Sequence, residues 1–319
     1  MPKRLRLGML GTGLAAKLLY LPALRALSSR IELVACANRR RSKAVAYAKL
    51  AGIPRVVNDA DELFALPELD AVLISLPIHL QPRYVLQALA AGKAVLSEKP
   101  IAPNLREGKQ LVKAAARFDK PWLVGENFAF MPQVARLQRW IQSGKLGQVR
   151  LVEAVLINAM NRKNPYFNTS WRAQPEHIGG FVVDAGVHLA EVLRRCFGMP
   201  TQVQNLTASF DPAVPPIDTA LALLKFESGA VGTFTSCFSA RYEGPFLRVY
   251  GSRANAELGY HGLTWLAKPG EPKVYPAERG SFEVQFAHFA DVVLRGAPLA
   301  FTPDQALENL ALMQAIVSP

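Results

Sequence analysis

Leu5-Arg-Leu-Gly-Met-Leu-Gly11-Thr-Gly13-Leu-Ala-Ala16 is the stretch that decides the fold. Leu5–Leu10 reads as a buried strand and Leu14–Leu27 as the helix that follows it. The turn between them, Gly11-Thr12-Gly13-Leu14-Ala15-Ala16, has the spacing G-x-G-x-x-A. Gly11 permits a tight turn, Gly13 lets backbone approach a pyrophosphate, and Ala16 lets the helix pack closely on the strand. The helix N-terminus adds the positive end of its dipole. In this context the spacing predicts a dinucleotide-phosphate cradle formed by Gly11, Thr12, Gly13, Leu14 and Ala15.

The pattern continues outward from that unit. Strands are expected at Ile31–Ala37, Arg55–Val57, Asp70–Leu76, Ala94–Ser97 and Trp122–Gly125. Helices are expected at Ser42–Ala51, Asp61–Leu66, Pro82–Ala91 and Leu105–Phe118. Continuous apolar strands alternating with helices specify a doubly wound parallel sheet covered on both faces. Beyond Gly125 the pattern changes. Leu151–Ile157, Val203–Phe210, Thr219–Phe226, Ala230–Ser239 and Phe246–Tyr250 read as strands, with Glu227-Ser-Gly229 as a hairpin turn. Helices are expected at Val134–Ser143, Gly180–Phe197, Val284–Leu294 and Pro303–Ile316. The expected fold is α/β: a dinucleotide-binding domain over residues 1–125 and an α+β domain over 126–319 with a large, open, mostly antiparallel sheet.

The 319 residues suffice for two ordinary domains, and 50% of them are hydrophobic. No apolar run is long and pure enough to span a membrane. The opening Met1–Leu10 lacks the apolar core and cleavage site of a signal peptide, so a cytoplasmic protein is expected. The net charge is +12, but the basic residues are dispersed, without aromatic interleaving or a zinc or helix-turn-helix signature. That argues against a nucleic-acid partner. Cys36, Cys196 and Cys237 are odd in number and far apart, so reduced thiols and no metal site are expected.

The second strand ends at Ala37-Asn38-Arg39-Arg40-Arg41. An NAD-binding unit ordinarily has Asp or Glu here to hold the ribose 2′-hydroxyl. An acid would repel a 2′-phosphate, whereas arginine pairs with it. Three cations beside a helix N-terminus also oppose its dipole. Asn38, Arg39 and Arg40 therefore favour NADP(H) over NAD(H).

In the second half, Ile178-Gly-Gly-Phe-Val-Val-Asp184-Ala-Gly-Val-His188 combines a double glycine with an acid and an imidazole four residues apart. On one helix these share a face and form a candidate proton-transfer pair. In the first half, Ala91-Gly-Lys-Ala-Val-Leu-Ser-Glu98-Lys99-Pro100 sets a lysine at a strand end. With Trp171-Arg172 and the strand-turn-strand of Thr219–Gly232, these segments make nearly the whole chain resemble the glucose–fructose oxidoreductase / inositol dehydrogenase (Gfo/Idh/MocA) family. Trp171-Arg-Ala-Gln-Pro-Glu-His-Ile-Gly-Gly-Phe181 is most similar to its NADP-linked members.

The resemblance implies a Rossmann domain followed by an open-sheet substrate domain. It implies oxidation or reduction of a secondary alcohol or carbonyl on sugars, polyols and small carbonyl compounds. Lys99, Asp184 and His188 match the family's catalytic lysine, aspartate and histidine. Neutral imidazole accepts the hydroxyl proton, the ammonium stabilises developing alkoxide, and Asp184 orients the imidazole or holds an adjacent hydroxyl. Trp171 and Arg172 join them around substrate. Ser75, Leu76, Pro77, His79, Glu98, Lys99 and Asn127 join the glycine loop around the cofactor. Three departures bear on substrate identity: Gln81 where many members have His, Ala129 where many have Arg, and Phe181 as the third residue of a usual glycine triplet.

The second sheet has too few helices to cover it, and an exposed apolar sheet face marks an interface, so a homodimer or homotetramer is expected. Two other uses of this fold fit the sequence less well. A non-catalytic dinucleotide-sensing regulator is disfavoured by the retained Lys99, Asp184 and His188. An NAD-dependent glycosidase is disfavoured by the arginines after Asn38.

Overall fold

The computed structural model describes residues 3–267, 271–277 and 280–318. By its contacts the chain forms two units: Met1–Glu126 with Phe282–Leu307, and Asn127–Ser281 with Glu308–Pro319. The linear division expected at 125/126 differs from this at Glu126 and at residues 282–307. Residues 282–307 group with the first unit, where Phe282 and Phe286 set their rings edge-on against Tyr20, each at 5.6 Å.

The first unit holds six parallel strands, β1 (Leu5–Leu10), β2 (Ile31–Ala37), β3 (Arg55–Val56), β4 (Ala71–Ile74), β5 (Ala94–Glu98) and β6 (Trp122–Gly125). Their order is β3-β2-β1-β4-β5-β6. Every residue of β4 is buried, as two covered faces require. The order reverses between β1 and β4, the switch point where such sheets bind ligands at their carboxyl ends. Helices Arg41–Ala51, Ala60–Phe64, Gln81–Ala90 and Leu105–Ala115 lie within a few residues of their expected bounds.

The helix expected at Leu14–Leu27 is not regular. Residues 16–20 form a π-helical turn that closes with Leu21 N–H donating to Ala16 O, and α-helix resumes over Leu21–Ala26. Pro22 stands at the start of that α-segment. A proline there has no N–H and crowds the preceding turn, and one wider turn relieves both problems.

The second unit contains one eight-stranded mixed sheet. Its strands are β7 (Val149–Ile157), β8 (Pro200–Ala208), β9 (Thr219–Phe226), β10 (Val231–Cys237), β11 (Leu247–Gly251), β12 (Asn255–Gly259), β13 (Gly262–Leu266) and β14 (Lys273–Pro276). The order is β14-β13-β12-β11-β7-β10-β9-β8. Among the described residues only the β7–β10 pair of this sheet is parallel. The sheet is thus mostly antiparallel, as expected, but β12 to β14 extend it beyond the strands read from sequence. In β9, Ala220, Ala222, Leu224 and Phe226 are buried while Leu221, Leu223 and Lys225 are exposed, the period-two pattern of a sheet covered on one face. The long helix Gly180–Phe197 packs on the covered face against β7, β9 and β10.

Cys36 and Cys196 are buried and Cys237 is half-buried, all as free thiols. Burial pushes Cys36 up to about 11 and Cys196 up to about 12, which keeps both protonated and inert.

Candidate active site

Gly11 sits where the sheet order reverses. Its φ is +95°, and a Cβ there would lie 2.1 Å from Ser75 O, so only glycine fits. Gly11 N–H bonds Ala37 O at 2.9 Å, and Ser75 N–H bonds Leu10 O at 2.8 Å. The end of β1 is thereby tied to both neighbours. Gly13 is the opposite case: it is exposed, and nothing lies within 4 Å of an added Cβ. A Cβ would project into open space, and without one the backbone stays open to close approach. Thr12 is buried, and its Oγ1 accepts from Asn38 Nδ2 at 3.0 Å, while Asn38 Oδ1 accepts from Arg40 N at 3.0 Å. Asn38 thus joins the glycine turn to the arginine loop. Arg39 and Arg40 are exposed beside it, and Arg41 turns to Asn58 Oδ1 at 2.8 Å. These residues fit a dinucleotide, with a cationic end beside the second strand.

Ser75, Leu76 and Pro77 follow β4 as a half-buried irregular segment, and His79 lies in the short 3₁₀ helix Ile78–Leu80. Leu76 Cδ2 also borders Gly11. Lys99 directly follows β5 and is half-buried. Its N–H donates to Glu98 Oε2 at 3.2 Å, which fixes the acid against the backbone that presents the lysine. Lys99 and the glycine turn belong to the carboxyl ends of adjacent strands β1, β4 and β5 in one unit.

In the second unit the double glycine starts the helix Gly180–Phe197. Gly180 has φ +51°, and a Cβ on it would meet Pro215 O at 2.2 Å. The chain enters this helix in a conformation and a space that favour glycine. Phe181 is buried against Phe238, so the departure from a glycine triplet adds core rather than a clash.

Asp184 is 5% exposed and His188 half-buried, one turn apart on this helix. Arg172 Nε donates to Asp184 Oδ2 at 2.8 Å. The Arg172 guanidinium lies 3.9 Å from the Trp171 ring centroid and 5.0 Å from that of Tyr166, and Nη1 donates to Thr169 Oγ1 at 3.3 Å. Trp171 and Arg172, on the short helix Ser170–Ala173, therefore act as a pair: one stacks, the other binds the acid. Neighbouring His177 bonds Gly180 O at 3.1 Å and tilts against Trp171, tying this loop to the helix start.

The His188 ring stacks on Phe128 at 4.5 Å and 17°. Phe128 is not among the residues that the sequence points to, although its neighbours Asn127 and Ala129 are. Nothing in the sequence connects residue 128 with residue 188. Asn127 is buried, and its Nδ2 donates to Ser281 Oγ at 2.8 Å. Among the described residues no cluster of metal-binding side chains occurs, and no helix is long and apolar enough to cross a membrane.

Residues 5–126 match the oxidoreductase family with an NAD-binding Rossmann fold. Residues 134–257 match the GFO/IDH/MocA C-terminal domain. The chain belongs to the GFO/IDH/MocA oxidoreductase family, the one its motifs resemble. An uncharacterised protein of Saccharomyces cerevisiae is 34% identical over 259 residues, 80% of this chain and 74% of that one. A 1,5-anhydro-D-fructose reductase of Ensifer adhaerens is 27% identical over 258 residues, 78% of this chain and 74% of that one. Among solved structures, an oxidoreductase from Thermotoga maritima matches with a TM-score of 0.93 at 31% identity, covering 99% of this chain and 96% of that one.

Proposed function

We propose that this family member is an NADP(H)-dependent oxidoreductase acting on a secondary alcohol or carbonyl of a sugar, polyol or small carbonyl compound. The observation that carries this reading is one helical turn bearing both Asp184, ion-paired to Arg172, and His188, stacked on Phe128. A buried acid and an oriented imidazole of this kind suit proton transfer at a hydroxyl. The 1,5-anhydro-D-fructose reductase relative supports the substrate class. The exposed Arg39 and Arg40 beside Asn38 support a 2′-phosphate on the cofactor.

When bound, the nicotinamide supplies the hydride acceptor or donor. His188 takes the hydroxyl proton during oxidation and returns it during reduction. The family resemblance assigns the Lys99 ammonium the stabilisation of negative charge that develops in this step. Arg172 donates to one oxygen of Asp184, and in this reading the acid orients its neighbours while His188 exchanges the proton. Trp171 and Arg172 border substrate. Reduced thiols and a cytoplasmic setting accompany this reading, as does assembly through the second sheet.

The test is NADPH consumption against a panel of aldoses, ketoses, inosones and aldehydes. Turnover of a hydroxylated carbonyl, with NADPH preferred over NADH, is the expected result. Tight NADPH binding with no carbonyl consumed would overturn the enzymatic reading and favour a dinucleotide-sensing regulator.

A further inference from the structure

We propose that Phe128 is the positioning residue of His188, holding the imidazole in the plane from which it exchanges its proton. This rests on the reading of His188 as proton acceptor and deepens it. The two rings are nearly parallel, 17° apart with centroids at 4.5 Å. Stacking of this kind fixes a ring's plane, because rotation about its Cβ–Cγ bond would drive the ring edge into the neighbour. It also leaves the imidazole edge, where both nitrogens lie, out of the stack. Helix geometry places the Cβ of His188, but a terminal ring torsion is broad unless packing restricts it.

Phe128 is itself held. It is 6% exposed. Phe246 tilts against it at 5.4 Å, and Tyr260 meets it edge-on at 6.0 Å. Its segment is clamped by the helix that carries His188. Arg195, seven residues after His188 and so on the same face, donates through Nη1 to Ala129 O and through Nε to Gln138 Oε1. One helix face thus presents the imidazole and secures the platform beneath it. Ala129, where many family members have Arg, contributes only its carbonyl to this clamp.

The experiment compares the full chain with F128L, which keeps apolar volume but removes the flat ring, and F128Y, which retains the ring. Proton NMR, with the His188 signals identified by their loss in H188N, reads the stack directly. His188 ring protons are expected upfield in the wild type and F128Y, and to lose that shift in F128L. Kinetics use NADPH with the panel carbonyl consumed fastest. In F128L kcat is expected to fall by about tenfold to a hundredfold. KM for the carbonyl and the dissociation constant for NADPH should stay within about twofold. F128Y should recover most of kcat. Thermal melts check folding, and F128M serves if F128L does not fold. Wild-type kcat in F128L, or F128Y no better than F128L, overturns the proposal. Near-normal turnover in H188A instead overturns the acceptor reading itself, whatever Phe128 does.

Discussion

Arg172 Nε meets Asp184 Oδ2 at 2.8 Å, and both side chains are largely out of water, at 14% and 8% exposed. A buried carboxylate left without its cation is costly, about 3–5 kcal/mol. Arg172→Met is therefore expected to lower the unfolding free energy by about 3 kcal/mol. Asp184→Asn should cost less, because the amide oxygen still accepts from the guanidinium. The double variant should recover part of the sum. Urea unfolding of all four proteins closes the cycle, and simple additivity would show that the pair is uncoupled.

Loss of His188 separates proton transfer from binding. His188→Ala is expected to reduce turnover by about 10²–10⁴-fold while NADPH still binds. Lys99→Met should be comparably severe, as the charge-stabilising role proposed for its ammonium requires. The two losses should not add, because the roles proposed for both groups belong to one transition state. Stopped-flow turnover with parallel NADPH fluorescence titration measures each quantity. His188→Ala with near-normal kcat on a good substrate would remove it from the mechanism.

Cofactor choice should be concentrated in Arg39 and Arg40. Arg41 is engaged with Asn58 Oδ1, whereas Arg39 and Arg40 are exposed next to Asn38. Arg39→Ala is expected to weaken NADP binding about tenfold to a hundredfold, the scale of one charged hydrogen bond, and to leave NAD unchanged. Arg41→Ala should change neither by much. Equal losses for both cofactors, or a wild-type preference for NAD, would contradict the assignment.

The first sheet was legible because parallel strands buried on both faces appear as continuous apolar runs, and Gly11 and Gly13 mark the turn at its switch point. The helix Gly180–Phe197 was legible to the residue, its start marked by the double glycine. Lys99, Asp184 and His188 came from local motifs. What stayed hidden depends on contacts distant in sequence. The Phe128–His188 stack joins residues sixty apart, and no local pattern encodes it. The hairpin β12–β13 turns tightly at Gly259–Gly262, with strands too short for a clear period. The helix Ser281–Arg295 follows the second sheet in sequence, yet its Phe286 packs on Tyr20. Pro22 was visible, but its effect on the preceding turn is a backbone accommodation that apolar periodicity does not report.

Asp70 provides a pH-dependent anchor for β1 and β4. Burial raises its carboxyl, but bonds from Arg6 outweigh this and hold it below the ordinary value. The carboxylate accepts from Arg6 N at 2.9 Å, Nε at 3.2 Å and Nη2 at 3.0 Å. A lowered folded-state pKa contributes stability that is fully present above the unfolded value, about 3.9. That stability is lost as pH falls through the lower folded value. Asp70→Asn is therefore expected to lower the urea midpoint at pH 7, with the difference shrinking as the wild type is taken to pH 3 and below. A difference that stays constant across this range would show that the ionised carboxylate is not the source.

Assembly is expected through the uncovered face of the second sheet. Leu206, Leu221, Leu223 and Val231 are 67%, 41%, 60% and 49% exposed there. Leu206 and Leu221 are cross-strand partners, and Leu223 lies opposite Thr233 on β10. Farther along the same face the surface becomes charged, with Arg248 bonded to Glu257 at 3.0 Å and Tyr250 to Glu153 at 2.8 Å. Apolar side chains grouped on an open sheet face favour burial against another protein surface. A second copy presenting the same rows would form a symmetric interface, apolar at one end and polar at the other. Light scattering at micromolar concentration should therefore give the mass of a dimer or tetramer. Leu223→Arg, which places a charge in the apolar rows without touching the covered face, should yield a folded monomer. A monomeric wild type, or an assembly indifferent to Leu223→Arg, would rule this face out as the interface.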